Sequence, residues 1–107
     1  MYLYNITIHI EWQQHDDFLQ WLHSDILPEL LGKKYFSSYK FFELLGTDEK
    51  EGKTYSLQLT AESIGAYNRF AEIYREKLFE RFASRWGERC YLFPSLLREV
   101  DSGAPGI

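Results

Sequence analysis

The chain has 107 residues, 45% of them hydrophobic and 26% charged, with a formal net charge of −4. That length accommodates one domain with one core, small enough to gain from self-association. A negative chain with scattered Lys and Arg excludes a phosphate-driven nucleic-acid binder, and a single cysteine, Cys90, excludes an intrachain disulfide.

Met1 runs directly into an alternating stretch, with no basic leader and no long apolar run, so the expectation is a cytoplasmic chain without a signal peptide or membrane span. From Tyr2 to Ile10, Tyr2, Tyr4, Ile6, Ile8 and Ile10 share one face of a strand and Leu3, Asn5, Thr7 and His9 the other. From about Gln14 to Leu31, Phe18, Trp21, Leu22, Ile26 and Leu30 recur at helical spacing. Asp16 and Asp17 sit where the helix dipole favours carboxylates, and Pro28 predicts a disturbed last turn before Gly32-Lys33-Lys34.

Phe36 to Leu45 reads as a strand apolar on both sides, with Phe36, Phe42 and Leu44 on one face and Tyr39, Phe41 and Leu45 on the other. The polar stretch from Gly46 to Gly52 then connects to a hairpin partner, Thr54 to Thr60, whose Tyr55, Leu57 and Leu59 point one way and Ser56 and Gln58 the other. A single long helix is predicted from about Ser63 to Trp86, with the stripe Ile64, Tyr67, Phe70, Ala71, Tyr74, Leu78 and Phe82, ended by Gly87 as a left-handed cap. The last strand places Tyr91, Phe93 and Leu97 on one face. Pro94 in its middle confines it to an edge or a bulge.

The resulting order is β-α-β-β-α-β. It predicts an α+β, ferredoxin-like domain over residues 1–100, with an antiparallel four-stranded sheet in the order 4-1-3-2, two helices on one face, and a flexible tail at 101–107. The second sheet face is then expected to meet a second copy of the chain.

Metal and nucleophile chemistry finds little footing. His9 and Glu11 share a strand face but need a third ligand from elsewhere, such as His23 or Asp25. His15 beside Asp16 and Asp17 reads as a helix start, and no metal site is predicted. Cys90 has no neighbouring histidine and reads as a small core residue; Ser37, Ser38 and Ser95 lack an elbow-like glycine context. No glycine-rich phosphate loop or dinucleotide fingerprint appears, so no cofactor is expected. Aromatic residues make up 18% of the chain. They give the remaining candidates, a ligand pocket lined by Trp21, Tyr39, Tyr67, Tyr74 and Trp86 with Asn5 as a polar contact, against the plainer reading that these rings fill the core.

Five segments together resemble the bacterial domain-of-unknown-function family DUF4286: Tyr4-Asn5-Ile6-Thr7-Ile8; Phe18 to Leu22 leading to Ile26-Leu27-Pro28-Glu29-Leu30-Leu31; Tyr55 to Leu59; Tyr67 to Phe70; and Phe93-Pro94-Ser95-Leu96-Leu97. The resemblance implies a ferredoxin-like domain of the dimeric α+β barrel type, two sheets packed face to face, and no established reaction. The chain departs from the family pattern at Ile26-Leu27-Pro28, where His-Ile-Pro is usual, and at Phe93-Pro94-Ser95, where Phe-Arg-Thr is usual. The second helix contains no histidine, so the usual haem ligand of haem-degrading relatives in the wider superfamily is missing. Two functions follow as expectations: a non-enzymatic or accessory homodimer able to take a small apolar or aromatic ligand, or a cofactor-independent oxygenase or isomerase with an aromatic-lined pocket.

Overall fold

A computed structural model describes residues 1–106. Four strands, β1 (Tyr2–Glu11), β2 (Ser38–Glu43), β3 (Gly52–Ala61) and β4 (Cys90–Arg98), form one antiparallel sheet in the order β2-β3-β1-β4. This is the expected order counted from the other edge. It places Pro94 in an edge strand, where the missing N–H costs no second ladder.

Strand alternation decides the core. Tyr4, Ile6, Ile8 and Ile10 of β1 and Tyr55, Leu57 and Leu59 of β3 are buried and stand side by side in register, Ile6 opposite Leu57 and Ile8 opposite Tyr55. The register ends at Gly52 opposite Glu11. A Cβ on Gly52 would lie 2.2 Å from the Ile10 carbonyl oxygen, so only glycine fits there.

The first helical stretch is α1 (His15–Trp21), a π-helical turn over Leu22–Ile26, and α2 (Leu27–Gly32). The Leu27 N–H donates to the Leu22 carbonyl five residues back, which widens the helix immediately before Pro28, whose ring cannot donate at all. Two side chains bond carbonyls in this irregular region: the Ser24 hydroxyl donates to Gln20 O at 2.7 Å, and His23 Nδ1 meets Leu19 O at 2.8 Å. The turn after α2 uses a positive φ at Lys34, not at Gly32.

The second stretch is not the single helix that its periodicity predicts. It divides into α3 (Ile64–Ile73), capped by the Ser63 hydroxyl accepting from Ala66 N, and α4 (Arg75–Trp86). At Tyr74 the backbone swings to φ −127°, while the hydrogen bonds on either side, Tyr74 N to Phe70 O and Leu78 N to Tyr74 O, survive. The chain therefore bends without losing its ladder. Each half buries its own rings: Tyr67 and Phe70 against Tyr4, and Phe82 and Trp86 against Phe18. Ile64, expected in the stripe, is exposed in the first turn of α3. Gly87 does have positive φ, but with ψ −139° it adopts an extended conformation open to glycine and not the left-handed helical cap that was expected.

The strand β2 is shorter and less covered than predicted. Phe36 lies before it, with its ring inside the core, 6.3 Å from Tyr4 and 4.9 Å from Phe70. Within β2 only Phe41 is half-buried, stacked on Tyr55 at 4.6 Å, so the expectation of two covered faces fails. The helical layer reaches this edge through the His23 ring, which meets Phe41 at 5.4 Å and Tyr39 at 6.4 Å. Residues 101–106 carry no regular structure and are exposed.

Candidate functional site

A groove of about 740 Å³ lies on the outer side of the helical layer, running between the Trp21–Lys33 stretch and the outward face of α4. Its two irregular flanks are the π-helical turn and the bend at Tyr74. Because side chains four apart on a helix stand one above the other, Lys77, Arg81 and Arg85 form a cationic ridge along one wall. Glu29 and Lys33 of the α2 segment form the opposite wall.

Across the groove Arg81 Nη1 donates to Glu29 Oε2 and, at 2.9 Å, to the Tyr74 hydroxyl. Hydrogen bonding from the Tyr74 hydroxyl, together with the Arg81 and Lys33 charges, holds the Glu29 carboxyl below its ordinary value. Burial, then the hydrogen bond to Glu29, raises the Tyr74 phenol, which therefore stays protonated. Lys33 Nζ stands 5.3 Å from the centre of the Tyr74 ring, and the Arg85 guanidinium 4.3 Å from that of Trp86. Trp21 is locked from behind by edge-on contacts to Phe82 at 5.0 Å and Trp86 at 5.6 Å.

Of the residues expected to share one pocket, Trp21 and Tyr74 line this groove and Trp86 backs Trp21. The others lie elsewhere. Tyr67 is a core residue beside Tyr4, and its hydroxyl accepts from Arg75 at 3.0 Å. Tyr39 is on the edge strand β2, near His23. Asn5 is on the opposite face of the sheet. The space between helices and sheet is filled by Tyr4, Phe18, Phe36 and Phe70, with no exposure above 3%.

The open sheet face has its own organisation. Its centre, from β1 and β3, is polar and internally bonded: the Ser56 hydroxyl donates to Asn5 Oδ1 at 2.5 Å, Asn5 Nδ2 donates to Thr7 Oγ1 at 3.3 Å, and His9 Nδ1 meets Thr54 Oγ1 at 3.0 Å. Its edges are apolar. Tyr91, Phe93 and Leu97 on β4 are 54%, 65% and 49% exposed, and Phe42 and Leu44 at the other edge 47% and 42%.

His15 ties the start of α1 to the sheet, with Nε2 2.5 Å from the Tyr55 hydroxyl and Nδ1 2.9 Å from Asp16 Oδ1. Burial raises the Tyr55 phenol. Burial also pushes the Cys90 thiol up to about 12, which leaves no thiolate for nucleophilic work near neutral pH. Among the described residues no three His, Cys, Asp or Glu side chains cluster as metal ligands, and no helix is long and apolar enough to cross a membrane.

The sequence reading missed Glu29, Lys33, Lys77, Arg81 and Arg85. The four-residue spacing of Lys77, Arg81 and Arg85 was an available signal for a cationic ridge. Nothing local linked it to Glu29, 52 residues from Arg81.

The family model described as "Domain of unknown function (DUF4286)" matches residues 1–100. No curated protein matches the chain. The fold is similar to the crystal structure of HapK from Hahella chejuensis, with a TM-score of 0.68 at 13% identity over 99% of this chain and 99% of that chain.

Proposed function

The chain belongs to the DUF4286 family, and from that premise we propose that it works as a cytoplasmic, non-catalytic accessory domain, a homodimer joined through its open sheet face. The observation that carries this reading is the ring of exposed apolar side chains on that face, above all Phe93, flanking a polar strip that satisfies its own hydrogen bonds. Polar groups that are already paired can be dried at low cost, whereas exposed aromatic rings gain from burial.

Size and symmetry support the same reading. Four strands about 4.8 Å apart and roughly 30 Å long give a face of about 500 Å², hence about 1,000 Å² of summed interface from the flat area alone, close to what specific pairs bury. When two such sheets pack with their strands nearly aligned about a twofold axis, edge strands fall on edge strands and centre on centre. Apolar flanks then meet apolar flanks. Against the other expectation, a cofactor-independent oxygenase or isomerase with an aromatic-lined pocket, stands the filling of the space between helices and sheet by core rings.

Sedimentation velocity from about 1 to 100 µM tests the proposal, across the span where pairs of ordinary affinity assemble. The expected result is a dimer that Phe93→Glu converts to a folded monomer. A wild-type chain that stays monomeric at the top of that range overturns it.

A further inference from the structure

The groove on the far side of the helical layer lies opposite the open face and does not belong to it. Four cations line it, Lys33, Lys77, Arg81 and Arg85, against two carboxylates, Glu29 and Glu80, in a chain whose overall charge is −4. Glu29 is already engaged by Arg81, and by Lys33 at 3.9 Å. Neither Lys77 nor Arg85 has an ion-pair partner among the described residues, and Glu80 pairs with neither. The local field thus favours an anion where the molecule as a whole repels one. The floor is aromatic and stiff, because Trp21 is pinned by Phe82 and Trp86 and the Tyr74 hydroxyl is held by Arg81. A volume of about 740 Å³ exceeds the needs of a two-ring molecule.

We propose that this groove is a binding site for a small aromatic carboxylate, its ring seated against Trp21, beside the buried Tyr74, and its carboxylate held by Lys77 and Arg85. The site goes beyond the reading above, which names no ligand, and it takes an anion with a planar ring where the sequence led to the expectation of a small apolar or aromatic molecule. It asks nothing of the dimer. An aryl ring gains contact area on a preorganised indole, and two unpaired cations, two turns apart on one helix face, flank the place that a carboxylate would take.

The test is an NMR titration of the intact protein with 2-naphthoate to about 5 mM, beyond the millimolar affinity that so small a ligand commands. Parallel titrations use 2-naphthylmethylammonium, which has the ring but the opposite charge, and acetate, which has the carboxylate alone. Saturable shifts of the Trp21 indole N–H and of the amides of residues 77–85 are expected with 2-naphthoate only. The double variant Lys77→Gln with Arg85→Gln changes two exposed side chains and should weaken binding about tenfold. Phe93→Glu should leave it unchanged.

Absence of saturation with 2-naphthoate, equal binding of the ammonium probe or of acetate, a loss below about threefold in the double variant, or loss of binding in Phe93→Glu would each overturn the assignment. Sedimentation does not enter this titration, so failure of the dimer and failure of the groove are separately visible.

Discussion

The two faces of the sheet are made by the same strands and differ in nearly everything else. On the helical side β1 and β3 present Ile6, Ile8, Leu57 and Leu59, essentially without exposure. On the open side the same strands present Asn5, Thr7, His9, Thr54 and Ser56, half-buried and hydrogen-bonded in two groups, Ser56 with Asn5 and Thr7, and His9 with Thr54, and the apolar side chains have moved out to the edges on β2 and β4. A face committed to folding is apolar at its centre, where burial is deepest. The open face is polar at its centre and apolar at its rim, the pattern on which the proposed pairing rests.

Substitutions on each face should break this contrast in different observables. The largest effect belongs to the covered side: Phe70→Ala removes a ring that touches Tyr4, Tyr35 and Phe36, and denaturant unfolding should show a loss of about 3–5 kcal/mol. On the open side Phe93→Glu should leave far-UV circular dichroism unchanged while weakening self-association by about 2 kcal/mol or more, read by sedimentation.

Cys90 sharpens the comparison at the covered side's margin, where it pairs with Ile10 at the start of β4. Its thiol is raised from 9.0 to about 12, so the neutral form is favoured in the fold and this contribution is intact below pH 9. It is lost as pH climbs from about 9 toward 12, costing about 2 kcal/mol by pH 10.5. Cys90→Ala should flatten that part of the pH–stability profile, and Tyr4, raised from 10.0 to about 12, should govern what remains above pH 10.

Asn5→Ala, at the polar centre of the open face, strands the Ser56 and Thr7 hydroxyls and should cost about 1 kcal/mol in thermal or denaturant melts. The smallest effect is expected outside both faces, at Glu29. Its carboxyl is held below the ordinary value, so its contribution is present above the usual carboxylate range and disappears as pH falls through the lowered value. Because solvent reaches this pair, Glu29→Gln should remove less than about 1 kcal/mol at pH 7 and flatten the acid limb correspondingly.

How far the chain could be read depended on the range of the signal. Tyr4, Ile6, Ile8, Leu57 and Leu59 were legible as core because period-two alternation is a property of the strand itself. The long α3–α4 stripe was legible as helical but not as bent, since the stripe continues in phase through Tyr74 and no Pro or Gly marks the swing. Phe36 and Phe42 looked equivalent in the sequence. One entered the core from a loop and the other faces outward, because the strand begins only at Ser38. Trp21, Tyr39, Tyr67, Tyr74 and Trp86 are distributed over a groove, an edge strand and the core, and composition does not sort them, because an aromatic ring fits each place equally well.

By itself the sequence determined the order of elements, the strand that must lie at an edge and the inward side of the central strands, since each follows from periodicity or from what proline cannot donate. Only the tertiary structure decided that Glu29 meets Arg81, that Lys77 and Arg85 face Trp21 across a groove, and that the open face is polar inside an apolar rim. Those arrangements join residues far apart in the chain, and packing alone chooses which of many equally amphipathic surfaces come together.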